Sequence, residues 1–114
     1  MRARKFLGNY LSAQDVSEPL FLHFEKFEET KFEDSDRPKC IAHFRHEPKS
    51  LVMNSTNLNR MIAHFGTDET DDWIGKPVIL YVDKEVPMGG KLVEGLRLRA
   101  PTEKEIQLGQ ASPF

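Results

Sequence analysis

Short runs in which apolar and polar residues alternate recur along the chain, and turn-forming residues separate them. The clearest run extends over 20–27, where Leu20, Leu22 and Phe24 share one face and the residues between them share the other. Alternation with a period of two is typical of a half-buried β-strand. Comparable runs predict four further strands, at 39–45, 50–53, 78–82 and 92–99.

One segment between the third and fourth strands has a helical period instead. Its apolar residues recur at i, i+3, i+4 and i+7, which lines one face of a helix. They are Leu58, Met61, Ile62 and Phe65. Asn54, Ser55 and Thr56 are suitable N-cap residues, and Gly66 is placed for a C-cap. The pattern predicts a helix that begins after one of these caps and ends at Phe65.

The order of these elements is strand-strand-strand-helix-strand-strand, which predicts a mainly β fold with one helix. The same order is that of a small OB-like five-stranded β-barrel with its helix between strands 3 and 4. We therefore expect an N-terminal arm at 1–18, the barrel at 19–101 and a flexible C-terminal tail at 102–114, where no core pattern remains. Gly95, inside the last strand, predicts a bulge or a close approach.

A short acidic turn that holds the one tryptophan of the chain follows the helix. Thr70 can cap a single turn made of Asp71, Asp72 and Trp73, and Gly75 ends it. Carboxylates in a first turn complement its exposed N–H groups, so capping explains these acids better than a cation site does. Trp73 is either a core residue that closes one end of the barrel or an exposed platform for stacking.

Length, charge and cysteine content limit the class of protein. A chain of 114 residues has room for one domain. The net charge of −2 argues against a protein that coats nucleic acid by bulk electrostatics, although one basic groove is compatible with it. The single Cys40 excludes an intramolecular disulfide framework. With neither a secretory signal nor a membrane-spanning run in the sequence, we expect a cytoplasmic protein.

No catalytic group of residues stands out. Serine, histidine and acidic residues do not occur in an arrangement beyond chance, and Gly89-Gly90 lacks the spacing of a phosphate-binding loop. His43 and His46 lie three apart across a strand end, so they converge on a metal only if the turn bends them together. We therefore predict a protein that is not an enzyme and that has no cofactor and no metal site.

The OB-like interpretation directs attention to the face of the second and third strands and to the loops beside it. Basic groups interleaved with flat rings are what binding of single-stranded nucleic acid requires. The candidate nucleic-acid-binding residues are Phe32, Arg37, His43, Arg45, Tyr81, Lys91, Arg97 and Arg99. The alternative is that Phe27 and Tyr81 belong to the core and that the arginines pair with Glu28 and Glu94.

Several short motifs together resemble a family of short proteins encoded by phages and prophages. They are Asn54-Ser-Thr-Asn57, Phe65-Gly66, Asp71-Asp-Trp-Ile-Gly-Lys76, Leu80-Tyr81 and Arg97-Leu-Arg99. The resemblance covers roughly 6–101, and members of the family often lie among replication and recombination genes. It implies a phage or prophage origin, the cytoplasm of a bacterial host and a role near DNA metabolism. It supplies no catalytic residues.

Two functions of different classes fit the sequence. The first is a non-catalytic phage accessory protein of DNA replication or recombination, which binds single-stranded DNA through the OB-like groove. The second is a protein-interaction module, in which an acidic phage factor engages or inhibits a host or phage protein of DNA metabolism. The acidic segments at 28–36 and 68–72 favour the second, because they could mimic DNA towards a basic partner.

Overall fold

The computed structural model describes residues 10–32 and 36–112. Five strands account for most of this part of the chain: β1 (Leu20–Thr30), β2 (Lys39–Phe44), β3 (Leu51–Met53), β4 (Pro77–Met88) and β5 (Lys91–Arg99). Two α-helices, α1 (Ser55–Phe65) and α2 (Glu103–Leu108), and two 3₁₀ turns, Ala13–Asp15 and Thr70–Trp73, complete it. The prediction of a mainly β fold, with a helix between the third and fourth strands, is confirmed.

The strands form one antiparallel sheet in the order β3-β2-β1-β4-β5. The first residues of β1 pair with β4, and the residues from Phe24 onwards pair with β2, with an irregularity of register between Phe24 and Lys26. Between the described residues no ladder joins β3 to β5, so the sheet is open at these two edges. The closed barrel therefore stays a prediction.

All five strands contribute side chains to one core, and aromatic rings fill its centre. Phe24 is fully buried, with its ring centroid 5.4 Å from that of Phe44 and 5.0 Å from that of Phe27. Trp73 is only 1% exposed, and its Nε1 donates a hydrogen bond of 3.1 Å to the carbonyl oxygen of Thr67. The tryptophan is thus a core residue, as the first of its two interpretations predicted.

Helix α1 begins and ends where the sequence predicted. The Asn54 side chain accepts a hydrogen bond from the Asn57 backbone N–H, and Gly66 ends the helix in the left-handed conformation (φ 72°). The predicted inner face is wrong at one position: Ile62 is 37% exposed, whereas Asn57 is 1% exposed. The helix is rotated because it packs beside the edge of β5, where polar backbone groups need partners.

Side chains of α1 occupy the place of a neighbouring strand along β5. Asn57 donates from Nδ2 to the carbonyl oxygen of Leu96 at 3.1 Å, and its Oδ1 accepts from the N–H of Leu98 at 3.0 Å. Arg60 donates from Nη1 to the carbonyl oxygen of Leu98 at 3.3 Å. The backbone groups of this edge, which a closed barrel would pair with β3, are therefore satisfied by a helix.

The β4–β5 hairpin is longer than predicted, because its ladder continues past the core to the pair Met88 and Lys91. The polar residues 83–85 interrupt the alternation from which the strand end was predicted. The register shifts between Asp83 and Val86, and a Cβ added to Gly95 would lie 3.0 Å from Val86 Cγ2. The close approach predicted at Gly95 is thus present.

The segment after β5 contains α2, which the sequence analysis did not predict. Thr102 caps this helix, and Glu105 is 1% exposed although it is an acid. The Glu105 carboxylate accepts two hydrogen bonds from Arg99, at 2.7 and 2.8 Å, and one each from the N–H groups of Thr102 and Ser112, at 2.9 and 2.7 Å. Because polar contacts hold the segment, the hydrophobic pattern could not reveal it.

Only the second half of the predicted N-terminal arm belongs to the described residues, and residues 1–9 lie outside them. Tyr10 bridges to Ser50 in parallel, and the N–H of Leu11 donates to the Ser50 carbonyl oxygen at 2.7 Å. Val16 is buried in the core. This part of the arm is therefore packed on the sheet.

Asn57→Ala should destabilise the protein, because it leaves the Leu98 N–H and the Leu96 carbonyl without partners. A buried polar group that loses its partner costs roughly 1–3 kcal/mol. The matched control is Asn59→Ala, an exposed site on the same helix, where we expect a change within roughly 0.5 kcal/mol. Urea unfolding of both variants measures the difference. Equal stability of the two would show that Asn57 does not support the edge.

Glu105→Gln should reveal a contribution to stability that depends on pH. Arg99 lowers the pKa of Glu105, so the carboxylate stays charged to a lower pH in the folded protein than in the unfolded chain. Its contribution is complete above the ordinary glutamate pKa of about 4.3 and is lost as pH falls towards the folded pKa. At neutral pH the variant should lose roughly 1–2 kcal/mol, because Glu105 is buried but its partner Arg99 is partly exposed to solvent, which screens the pair.

Chemical denaturation at several pH values measures this difference. The gap between the wild type and Glu105→Gln should shrink from about pH 5 to about pH 2.5. Glu103→Gln, at an exposed site in the same helical turn, is the control and should leave the wild-type acid dependence intact. A gap that is constant across this range would contradict the role of the ion pair.

Candidate nucleic-acid interface

Three arginines surround one tyrosine on the outer face of β4 and β5, the side of the sheet opposite the core. We call this group the arginine–tyrosine patch: Arg60, Tyr81, Arg97 and Arg99. Tyr81 and Arg97 are directly paired across the two strands, and Ile79 and Arg99 form the next pair of the ladder. Arg60 approaches from α1 and donates from Nη1 to the Tyr81 hydroxyl oxygen at 2.8 Å.

The position of these side chains follows from strand alternation. Leu80 and Leu98 are buried in the core, so their neighbours along each strand point to the outer face. Tyr81, Arg97 and Arg99 are each partly exposed there. The alternative that placed Tyr81 in the core is wrong, whereas Phe27 does pack against the core.

The three arginines differ in how their charge is compensated. Both terminal nitrogens of Arg99 bind the Glu105 carboxylate, which raises the pKa of Arg99 further above its ordinary value. Arg97 donates from Nη1 to the carbonyl oxygen of Leu96, and Arg60 likewise contacts only uncharged oxygens. Within the part of the chain that the structure describes, Arg60 and Arg97 therefore have no carboxylate partner.

Acidic residues limit the patch on one side. A depression of 370 Å³ beside Tyr81 is lined in part by Glu18, Lys84 and Glu94. The two glutamates repel a polyanion on that side, and the lysine offsets this repulsion only in part. An anionic chain that reached the patch would therefore follow the side of Arg60 and Arg97, and it would contact few positive charges.

The remaining predicted site residues lie outside this patch. Phe32 packs edge-to-face on Tyr10, with 5.7 Å between the ring centroids. Lys91 is exposed at the end of the β4–β5 hairpin, and Arg37 is exposed just after residues 33–35, which are not described. Arg45 follows β2 and lines a separate cleft. The arginine–tyrosine patch thus contains three of the eight predicted residues, and Arg60 joins them.

His43 is the centre of a hydrogen-bonded chain that the sequence analysis missed. Its Nδ1 lies 2.7 Å from Ser50 Oγ, and its Nε2 contacts the Glu28 carboxylate. In a catalytic triad the serine is accessible and the acid is buried. Here Ser50 is 6% exposed, while the Glu28 side chain is about half exposed, so the order of burial is reversed. These hydrogen bonds link the polar side chains of β1, β2 and the residue before β3.

The acidic turn after α1 is organised by its own hydrogen bonds. Glu69 is the N-cap of the 3₁₀ turn, where Thr70 was predicted, and its carboxylate accepts from the N–H of Asp71. The Thr67 hydroxyl donates to the Asp72 carboxylate at 2.9 Å. Across residues 10–32 and 36–112, no three metal-ligating side chains converge, and none of the helices is both long and apolar enough to cross a membrane.

Arg60 is the residue of the patch that sequence reasoning missed. It lies three positions after Asn57, and both interrupt the apolar face of α1 beside Met61. Two polar residues spaced by three on a packed helix face are a signal that the helix meets polar groups. The signal was present, but it did not identify Tyr81 and β5 as the partners.

Comparison with known proteins supplies no relative from which a role could be transferred. The chain matches no model of a known protein family, no curated protein and no solved structure. The resemblance to short phage proteins stays a prediction.

Proposed function

We propose that the protein binds single-stranded nucleic acid, without catalysis, through the arginine–tyrosine patch. One observation carries the proposal: the guanidinium groups of Arg60 and Arg97 lack a carboxylate partner among the described residues and flank a partly exposed aromatic ring. Arginines that bind phosphates beside rings that stack on bases form the usual combination for single strands. We extend the proposal to single-stranded DNA and to a role in replication or recombination, because the resemblance to phage proteins implies a role near DNA metabolism.

The physical roles of the residues differ. Arg60 and Arg97 would neutralise phosphates, which releases counterions and makes binding depend on salt. Tyr81 would stack on a base, a contact worth roughly 1–3 kcal/mol. Arg99 would contribute less, since Glu105 already satisfies its guanidinium. Few phosphate contacts and a net charge of −2 predict modest affinity.

A second function, a protein-interaction module, is favoured by a different part of the molecule. The tip of the β4–β5 hairpin exposes Met88 and Leu92 to 66% and 64%. Exposed apolar side chains on a projecting hairpin are typical of contacts with another protein. The acidic residues Asp68, Glu69 and Asp71 are also exposed, while Trp73 of the same turn points into the core. Absence of oligonucleotide binding even at low salt would favour this function.

Replacing Arg60 and Arg97, which have no carboxylate partner among the described residues, should weaken binding and lower its dependence on salt. We expect the double variant Arg60→Gln/Arg97→Gln to bind a labelled single-stranded oligonucleotide at least about fivefold more weakly at low salt. The slope of log affinity against log salt should fall by roughly 0.7 for each phosphate contact that is lost. Fluorescence anisotropy at about 50 and about 200 mM salt measures both quantities.

The matched control for this charge change is Lys39→Gln/Lys104→Gln, two exposed lysines outside the patch. It should bind with nearly wild-type affinity. Arg97→Gln alone keeps the contacts of Arg60 with β5 and therefore guards against loss of the fold. If the arginine variants and the lysine control bind equally, the patch is not the binding surface.

Tyr81 tests stacking separately from charge. Tyr81→Leu should weaken binding by about 5- to 100-fold, because the ring is lost, and leave the salt slope unchanged. Tyr81→Phe keeps the ring, removes only the hydroxyl that binds Arg60, and should retain most of the affinity. The same anisotropy titration distinguishes the two. Equal losses in both variants would assign the effect to the hydroxyl and exclude stacking.

A further inference from the structure

A second basic region lies on the outer face, apart from the arginine–tyrosine patch. It is a cleft of 470 Å³ between the first half of β1, the turn after β2 and the C-terminal segment. None of its described lining residues carries a carboxylate, and three of them carry nitrogen donors. The lining is Phe21, Leu22, His23, Arg45, His46 and Gly109. A cleft of this composition attracts an anion.

The backbone brings the three nitrogen-bearing side chains together. The N–H of Arg45 donates to the carbonyl oxygen of His23 at 2.9 Å, which fixes the end of β2 beside β1. His46 then turns the chain in the left-handed conformation (φ 62°), which is uncommon for residues other than glycine. A Cβ added to Gly75 would lie 3.4 Å from Arg45 Nη2, so the guanidinium rests against the backbone there.

These donors are available to a ligand. Among the residues that the structure describes, no acceptor is hydrogen-bonded to the guanidinium of Arg45 or to the rings of His23 and His46. Arg45 and His46 are exposed, and His23 is half-buried. An arginine can bind two oxygens of one phosphate with parallel N–H bonds, and an imidazole N–H can donate to a third.

We propose that this cleft binds the phosphate group of a phosphate monoester. Phosphate fits better than a carboxylate, because it offers oxygens in three directions to donors that come from β1 and from the turn. Phe21 packs edge-on to the ring of His23, with centroids 5.3 Å apart, and forms an apolar side of the cleft. The organic part of the ester would lie on this apolar side.

The proposal that this cleft binds phosphate does not depend on the proposed function of the arginine–tyrosine patch. The C-terminal segment lies between the two basic regions, since Gly109 lines the cleft while Glu105 of the same segment binds Arg99. Free phosphate monoesters and the phosphorylated end of an oligonucleotide present the same group. The test therefore compares the two sources directly and reads the cleft separately from the patch.

The experiment is a titration of the ¹⁵N-labelled full chain, followed by NMR, with inorganic phosphate and then with a short oligonucleotide bearing a 5′-phosphate or a 5′-hydroxyl. We expect saturable shifts at Arg45, His46 and His23 with phosphate. Arg45→Gln should weaken phosphate binding at least about tenfold, and Lys39→Gln should not. His46→Asn, a residue that tolerates the same backbone conformation, should weaken it in a fold that stays intact.

The outcomes separate the proposals. Tighter binding of the 5′-phosphate oligonucleotide at the cleft supports the proposal and identifies the end of a nucleic acid as the source. Phosphate binding without this difference also supports it and points to a small phosphate ester. Shifts that do not saturate, or equal binding by Arg45→Gln, overturn it. If Arg97→Gln loses oligonucleotide binding and retains phosphate binding, the result supports the patch and the cleft as two separate sites.

Discussion

The packing of α1 against the edge of β5 is the interaction on which the rest of the structure depends. An open sheet exposes unpaired N–H and carbonyl groups at each edge, and at β5 these groups border the hydrophobic core. Asn57 satisfies one of each with a single side chain, and Arg60 satisfies another carbonyl one turn later. The same contacts place Met61, Leu58 and Phe65 on the core. Polar and apolar packing are therefore achieved by one orientation of one helix.

This orientation also builds the candidate interface. Once Asn57 is fixed on β5, Arg60 necessarily extends along the edge and reaches the hydroxyl of Tyr81. Tyr81 and Arg97 are already side by side, because the ladder pairs them. The charge of Arg99 is compensated by Glu105, which lies in the segment after β5. Three separate parts of the sequence thus determine how many positive charges the patch presents.

The distribution of charge explains how a protein with a net charge of −2 can still present basic surfaces. Carboxylates are concentrated in the turn after α1 and beside the tip of β1, whereas the outer face of the sheet carries arginines and histidines, two of which pair with Glu28 and Glu105. The C-terminal segment contacts both basic regions, since Glu105 binds Arg99 of the arginine–tyrosine patch and Gly109 lines the cleft at Arg45. Each region offers only two or three donors, and charges separated by more than about 8–10 Å are screened at cellular salt. Local contacts, and not the overall field, therefore govern any binding of anions.

The sequence by itself determined which residues of β1 and β2 pack on the central core, since alternation requires only the period of two and the apolar side chains. Leu20, Leu22 and Phe24 pack inward as predicted, and so do Cys40, Ala42 and Phe44. Local capping chemistry likewise determined both ends of α1. The tertiary structure decided the rotation of α1, the burial of Asn57 and Glu105, and the meeting of Arg60 with Tyr81. Each of these depends on partners that are distant in sequence or polar, such as Leu98 for Asn57, and a hydrophobic period contains no information about them.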